Sequence, residues 1–305
     1  MDMRTCLARC ALLGALCGAL LGAGPAAAGI VDYPFRIITR ETGSDSQVTA
    51  VNDGPSPVTV RIEVIGTGVE SDREWPVTAV VPAHTSLTLG RVYSDGQSAA
   101  PFSARYFYSY HFGRPDAVHD DAVAYRLPFA DGQGFEVTQA HGGRLSSHDN
   151  SATQYAIDFA MPAGSPVMAA RAGVVIDVTL RYTEGGYDPA YLYKANTVAI
   201  LHADGTVAEY AHLSPGPAVV TLGERVDAGD LLGYSGSTGY SSEAHLHFSV
   251  TRTIVSEGLV THEAVPVQFY SGDTGARFSA QAGTTVWANY AAAMRIATLR
   301  PRRAQ

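Results

Sequence analysis

Ala244-His245-Leu246-His247-Phe248-Ser249-Val250 carries two opposed patterns in seven residues. Read at the two-residue period of a strand, Ala244, Leu246, Phe248 and Val250 face a core, while His245, His247 and Ser249 face the other way. Alternate residues of a strand stand ~6.8 Å apart, so the two imidazoles can share a site as two ligands, or as one ligand and one acid–base group. A His-x-His alone decides little, because imidazoles are common on exposed strand faces. It gains meaning when other polar groups converge on it.

Such groups lie upstream. Tyr155-Ala156-Ile157-Asp158-Phe159-Ala160 alternates again, with Tyr155, Ile157 and Phe159 on the buried side and Asp158 opposite. His148 precedes it in a polar stretch, and His212 closes the strand-like Glu209-Tyr210-Ala211-His212-Leu213. A carboxylate and imidazoles gathered on strands suit zinc, whose catalytic sites take three protein ligands and leave one position open. Zinc lowers the pKa of water to about 7 and polarises a carbonyl, which makes amide hydrolysis feasible at neutral pH; remaining histidines can move protons.

The rest of the chain reads as β structure. Residues 173–178, 197–202, 207–211 and 245–250 are strand-like, and Ala203-Asp204-Gly205 makes a hairpin turn between the middle two. Before the boundary placed near Leu127, Val58 to Val64 alternates for seven residues between the turn signals Asn52-Asp53-Gly54-Pro55 and Pro82-Ala83-His84. Residues 29–126 are thus expected to form an immunoglobulin-like β-sandwich, with Tyr106, Phe107, Tyr108, Tyr110 and Phe112 as packing rather than a sugar platform, and His84, His111 and His119 as surface or satisfied histidines. His202 reads as a strand-end or supporting residue and His262 as a surface one. Residues 127–270 form the second domain and 271–305 an extension, whose one helical pattern begins at Ala288 and whose basic end is expected to be mobile.

The 305 residues carry a net charge of −8, and 20 of the 21 basic residues are Arg, with Lys194 the one lysine. Such acidity argues against nucleic acid as a partner. Residues 1–28 have the layout of a secretory signal: Arg4 and Arg9, an apolar stretch from Cys10 to Leu21, then Ala26-Ala27-Ala28. All three cysteines fall inside it, so the expected mature chain has neither disulfide nor thiol nucleophile. No other apolar run reaches the ~18 residues of a membrane span. An exported monomer, periplasmic or secreted, is expected.

Taken together, His148 and Asp158, the hairpin from Asn196 to Thr206, Tyr210-Ala211-His212-Leu213, Gly233-Tyr234-Ser235-Gly236-Ser237-Thr238-Gly239 and His245-Leu246-His247-Phe248 resemble, in order and spacing, the lysostaphin/LytM-type zinc endopeptidases that cut peptidoglycan cross-bridges. The resemblance covers residues 127 to 266. It implies an all-β fold with an antiparallel peptidase sheet of the duplicated-hybrid-motif type, and Zn2+ held by His148, Asp158 and His247. It further implies His212 and His245 as catalytic histidines, Asn196 as a substrate-binding residue, and peptidoglycan stem peptides or cross-bridges as substrate. Two features depart from the family pattern: nine residues separate His148 from Asp158 where many members have three, and Glu243-Ala244 stands where Gly-Pro is common. His141, in Gln139-Ala140-His141-Gly142-Gly143, is the alternative first ligand. The alternative function is a catalytically inactive relative that binds wall or regulates another hydrolase.

Overall fold

The computed structural model describes residues 33–42, 45–96, 102–143, 146–271 and 275–290. Residues 1–28, expected from the sequence to be a secretory signal, and residues 291–305, with most of the expected C-terminal helical pattern and the basic tail, lie outside them. The chain is nearly all-β, and the one-turn segment Pro189–Tyr191 is the sole helical element among the described residues. The described residues fall into two units: one reaches to Asp116 and includes Thr253–His262, and the other comprises Ala117–Arg252 with the residues from Glu263 onward.

The first unit contains strands β1 (Phe35–Thr42), β2 (Asp45–Asn52), β3 (Val58–Thr67), β4 (Val69–Ser71), β5 (Val77–Val81), β6 (Thr85–Ser94) and β7 (Ser103–Phe112). They form two antiparallel sheets, ordered β1-β2-β6-β4 and β5-β3-β7. The period-two reading of β3 holds where it matters: Val58, Val60 and Ile62 are fully buried. The aromatics of β7 pack inside this unit, with Phe112 against Tyr33 at 4.7 Å between ring centroids and Tyr110 against Phe35 at 4.8 Å. Phe107, on the opposite face, is exposed. Buried Asn52 closes the β2–β3 turn by donating to the carbonyls of Ser56, Val81 and Pro82.

The second unit continues with β8 (Tyr125–Arg126), β9 (Gly134–Gln139), β10 (Ile157–Phe159), β11 (Pro166–Met168), β12 (Gly173–Thr179), β13 (Thr197–Leu201), β14 (Val207–Ala211), β15 (Arg225–Val226), β16 (Leu231–Tyr234), β17 (Leu246–Ser256), β18 (Leu259–Ala264), β19 (Phe269–Tyr270), β20 (Arg277–Phe278) and β21 (Thr285–Trp287), except that Thr253–Ser256 of β17 and Leu259–His262 of β18 belong to the first. Its main sheet runs β15-β12-β13-β14-β17-β10-β9-β21, with β18 paired to β17. Two small sheets, β11-β16 and β20-β19-β8, accompany it, and β8 with β19 is a parallel pair.

Alternation produces this sheet and gives it two different faces. Val198 and Ile200, Ala208 and Tyr210, and Phe248 and Val250 enter a core with Leu127, Phe129, Phe159 and Phe269. Each Val, Leu, Ile or Phe side chain among them contributes about 1.5–3 kcal/mol by leaving water. The Tyr210 hydroxyl, carried into that core, accepts from the Ala170 amide at 2.7 Å, which offsets part of the cost of burying it. The hairpin between β13 and β14 turns through Asp204-Gly205, with Gly205 at φ +85° and Asp204 Oδ1 accepting from the Thr206 amide. The other face of the sheet carries the polar residues.

Candidate metal and acid–base site

Asp158 and His247 come from strands 89 residues apart in sequence, and the antiparallel register of β10 with β17 sets them directly opposite one another. His247 Nδ1 lies 2.9 Å from Asp158 Oδ1. Pairing of β14 with β17 puts small Ala211 across from His247 on the other side, which leaves room above the sheet for the imidazole.

His148 arrives from a loop. The nine residues between it and Asp158 fold back as a compact turn: Asn150 accepts from the Ala152 amide through its side chain and from the Gln154 amide through its carbonyl. The chain thereby returns Ala156 to the His148 ring, and His148 Nδ1 donates to the Ala156 carbonyl at 3.1 Å. That bond leaves Nε2 as the atom with a free lone pair, and Nε2 points to Asp158 Oδ2 at 3.5 Å. One donor atom each from His148, Asp158 and His247 falls within 4.8 Å of the others. His141 does not join them: its Nδ1 is engaged by the Gln154 carbonyl and its ring rests on Tyr155 at 4.4 Å. Tyr155 itself belongs to the turn, not to the strand the alternation predicts, because the Asn150 cap continues through it.

His212 and His245 stand beside this group. His212 ends β14 at φ +63°, a left-handed backbone conformation that costs a non-glycine residue about 1–2 kcal/mol. Its Nδ1 donates to the Thr238 carbonyl at 2.7 Å. His245 Nδ1 lies 2.9 Å from the Glu243 carbonyl and 3.2 Å from Ser241 Oγ, while Nε2 is 4.0 Å from Asp158 Oδ2. The two rings are 4.5 Å apart, and His212 is 5.9 Å from His247. Both imidazoles are thus held through Nδ1 by backbone carbonyls and present Nε2.

Charge follows the same geometry. Burial pushes His148 below the usual imidazole range. Burial, reinforced by the neighbouring His245 and His247, lowers His212 to about 3. Burial alone would lower His247 and raise Asp158, but their mutual hydrogen bond and charge win, so His247 rises and Asp158 falls.

Asn196 is fully buried. Its Nδ2 donates to the carbonyls of Tyr182 at 2.8 Å and Leu213 at 3.1 Å, and its Oδ1 accepts from the Tyr182 amide at 2.9 Å. Both side-chain N–H groups are committed to backbone, so this residue clasps the loop after Tyr182 to the strand end at His212; substrate finds no free donor there. His202 and His119 form part of a separate polar cluster with Tyr125, Arg171 and Asp204. His262, read from the sequence as a surface residue, shares a 3.2 Å contact with His111. The carbonyls of Ala156, Thr238 and Glu243 orient three of the four imidazoles, and no residue-type motif reveals them.

His148, Asp158 and His247 form a donor set that could hold a metal ion on one face of an antiparallel sheet, with the imidazoles of His212 and His245 beside it. Residues 152–259 match the model of peptidase family M23, and the chain carries an M23 peptidase domain. It is 37% identical over 100 residues to glycyl-glycine endopeptidase ALE-1 of Staphylococcus capitis, a match covering 32% of this chain and 25% of that protein. It is 40% identical over 92 residues to the DD-carboxypeptidase/endopeptidase Mpg of Neisseria meningitidis, covering 30% of this chain and 18% of the relative. The chain therefore spans about a quarter or less of these relatives. Among solved structures, the catalytic domain of the prophage-encoded M23 protein EnpA from Enterococcus faecalis aligns at 26% identity and a TM-score of 0.31, over 45% of this chain and 94% of that one. No helix among the described residues is long and apolar enough to cross a membrane.

Proposed function

We propose that this chain is a zinc metalloendopeptidase that is exported and hydrolyses peptide cross-links of bacterial peptidoglycan. The observation that carries the reading is the convergence of His148, Asp158 and His247 within 4.8 Å, with two further imidazoles alongside. The donor set fits zinc. It supplies two imidazole nitrogens and one carboxylate oxygen from a pocket where Asp158 is almost wholly buried, and the His148 partner on the Ala156 carbonyl fixes the tautomer a ligand needs. Bound there, zinc would polarise the scissile carbonyl and lower the pKa of the attacking water.

The remaining groups handle protons. His212 Nδ1–H is tied to the Thr238 carbonyl, so Nε2 is the atom that accepts the proton of the attacking water and passes it to the leaving amine. His245 Nε2 takes the water's second hydrogen as a hydrogen-bond acceptor and so orients it. Asn196 acts at a distance, by holding the strand end that carries His212.

Substrate class rests on the relatives, which are named as glycyl-glycine and DD-endopeptidases. The acidic, alanine- and arginine-rich chain with a leader-like start favours stem-peptide cross-links over glycine bridges. The test is zinc content together with muropeptide release from purified peptidoglycan, on the chain without residues 1–28 and on His247→Ala. One zinc per chain and conversion of cross-linked dimers to monomers by the unmutated protein alone is the expected result. Zinc without cleavage would favour the inactive wall-binding relative, and no zinc would overturn the metallopeptidase reading.

A further inference from the structure

Tyr187 is a large aromatic residue with 78% of its surface exposed. Hydrophobic burial does not explain it, and its neighbour Tyr240 is itself partly exposed. The rings lie 4.8 Å apart at 33°, so they pack against one another as an aromatic pair shared by two loops, with Tyr187 as its exposed member.

The two loops are zipped together. The Gly186 amide donates to the Gly239 carbonyl at 3.0 Å, and the Gly239 amide to the Glu184 carbonyl at 3.1 Å. Gly185 has to be glycine, because a Cβ there would run into the Ser237 carbonyl. The base of the first loop is clasped by Asn196 to Tyr182.

The second loop is the one that organises the acid–base histidines. Its Thr238 carbonyl holds His212, and Ser241 Oγ touches His245 Nδ1. Tyr240 is the residue before Ser241, about 3.8 Å away along the backbone. The aromatic surface is therefore built onto the rim of the proposed cleft.

Resting on the proposed function, we propose that Tyr187 and Tyr240 form a subsite for a sugar ring of the glycan strand attached to the peptide being cut. Peptidoglycan offers such a wall two kinds of surface. Its peptides are mostly small aliphatic residues, which cover little of a phenol ring. A pyranose presents a flat array of C–H groups that matches a tyrosine face in size, and these are drawn to the negative ring face by the same quadrupole that favours aromatic contacts. The wall thus selects cross-links that still carry their sugars.

The test compares a disaccharide-bearing cross-linked muropeptide with the same peptide after its sugars are removed, using the zinc-loaded full chain, Tyr187→Ala/Tyr240→Ala and Tyr187→Phe/Tyr240→Phe. The unmutated protein prefers the sugar-bearing substrate. The alanine pair raises KM for it about tenfold, a loss of ~1.4 kcal/mol, at unchanged kcat, and so abolishes the preference; the phenylalanine pair, which keeps both ring faces, retains it. A binding measurement by calorimetry with a β-1,4-linked tetramer of N-acetylglucosamine runs in parallel, and the alanine pair loses that binding. Equal losses on both substrates, or no preference and no tetramer binding by the unmutated protein, would overturn the subsite. Tetramer binding that depends on both tyrosines, with neither substrate cleaved, would support it and overturn the endopeptidase activity instead.

Discussion

His202 offers a quantitative check on the packing behind the site. It is 3% exposed, its Nδ1 donates to the Ala172 carbonyl at 2.9 Å, and its Nε2 has no partner. Burial lowers it from 6.5 to about 4, against the opposing Ala172 bond and with help from the Arg171 charge. Its folded-state proton affinity is therefore below that of the unfolded chain, so the unfolded chain binds more protons between the two values. Stability is complete above pH ~6.5 and falls as pH drops towards about 4. At ~1.4 kcal/mol per unit, the full loss is about 3 kcal/mol, of which about 2 kcal/mol has gone by pH 5.

The assay is urea unfolding of the full chain at pH 7 and pH 5, with His202→Phe in parallel, so that carboxylates and other histidines cancel in the difference. His202→Phe costs about 1–2 kcal/mol at pH 7, because the Ala172 carbonyl loses its donor. At pH 5 that deficit closes or reverses, since the variant has no imidazole to protonate. A deficit of the same size at both pH values would refute the reasoning, and would mean that His202 is hydrated or already charged in the folded protein.

Other outcomes follow from the site. His148→Ala and Asp158→Ala lose both zinc and hydrolysis, whereas His141→Ala keeps both, as read by metal analysis and muropeptide release; loss on His141→Ala with retention on His148→Ala would reverse the ligand choice. His212→Ala and His245→Ala keep the metal but lower kcat by roughly 10²–10⁴-fold, the usual range for a general acid–base group. Zinc affinity weakens as pH falls, and does so from a higher pH than an ordinary imidazole would dictate, because Asp158 raises the proton affinity of His247; an isothermal titration series tests this. Gly185→Ala separates the zipped loops and lowers kcat while leaving zinc content intact, since the ligands lie on other elements.

The strands were legible because alternate apolar side chains turn to a core, even where, as in β10 and β13, the other face is covered too. Residues 197–201 and 207–211 lie where alternation puts them, and the Asp204-Gly205 turn between them follows from local chemistry. Alternation runs back to Tyr155, but the strand begins at Ile157, because a turn closed by the Gln154 and Ala156 amides precedes it. β17 continues to Ser256, well beyond Val250, and it enters the first unit from Thr253 onward; no local pattern marks that passage. Asn196 was read as a substrate group, but a buried amide shared among backbone groups is indistinguishable in sequence from an exposed one.

The sequence by itself determined the two-faced strands, the pair His245 and His247 on one side of a strand, and Asp158 on the polar side of another. These depend only on the period of the β backbone and on which side chains water rejects. Tertiary structure decided the rest. The β10–β17 register brings Asp158 to His247 across 89 residues, and the turn at 150–155 places His148 rather than His141 beside Asp158 by returning one carbonyl to its ring. The carbonyls of Thr238 and Glu243 decide which nitrogen His212 and His245 present. Register, loop return and tautomer are set by contacts between groups that the local sequence pattern does not pair.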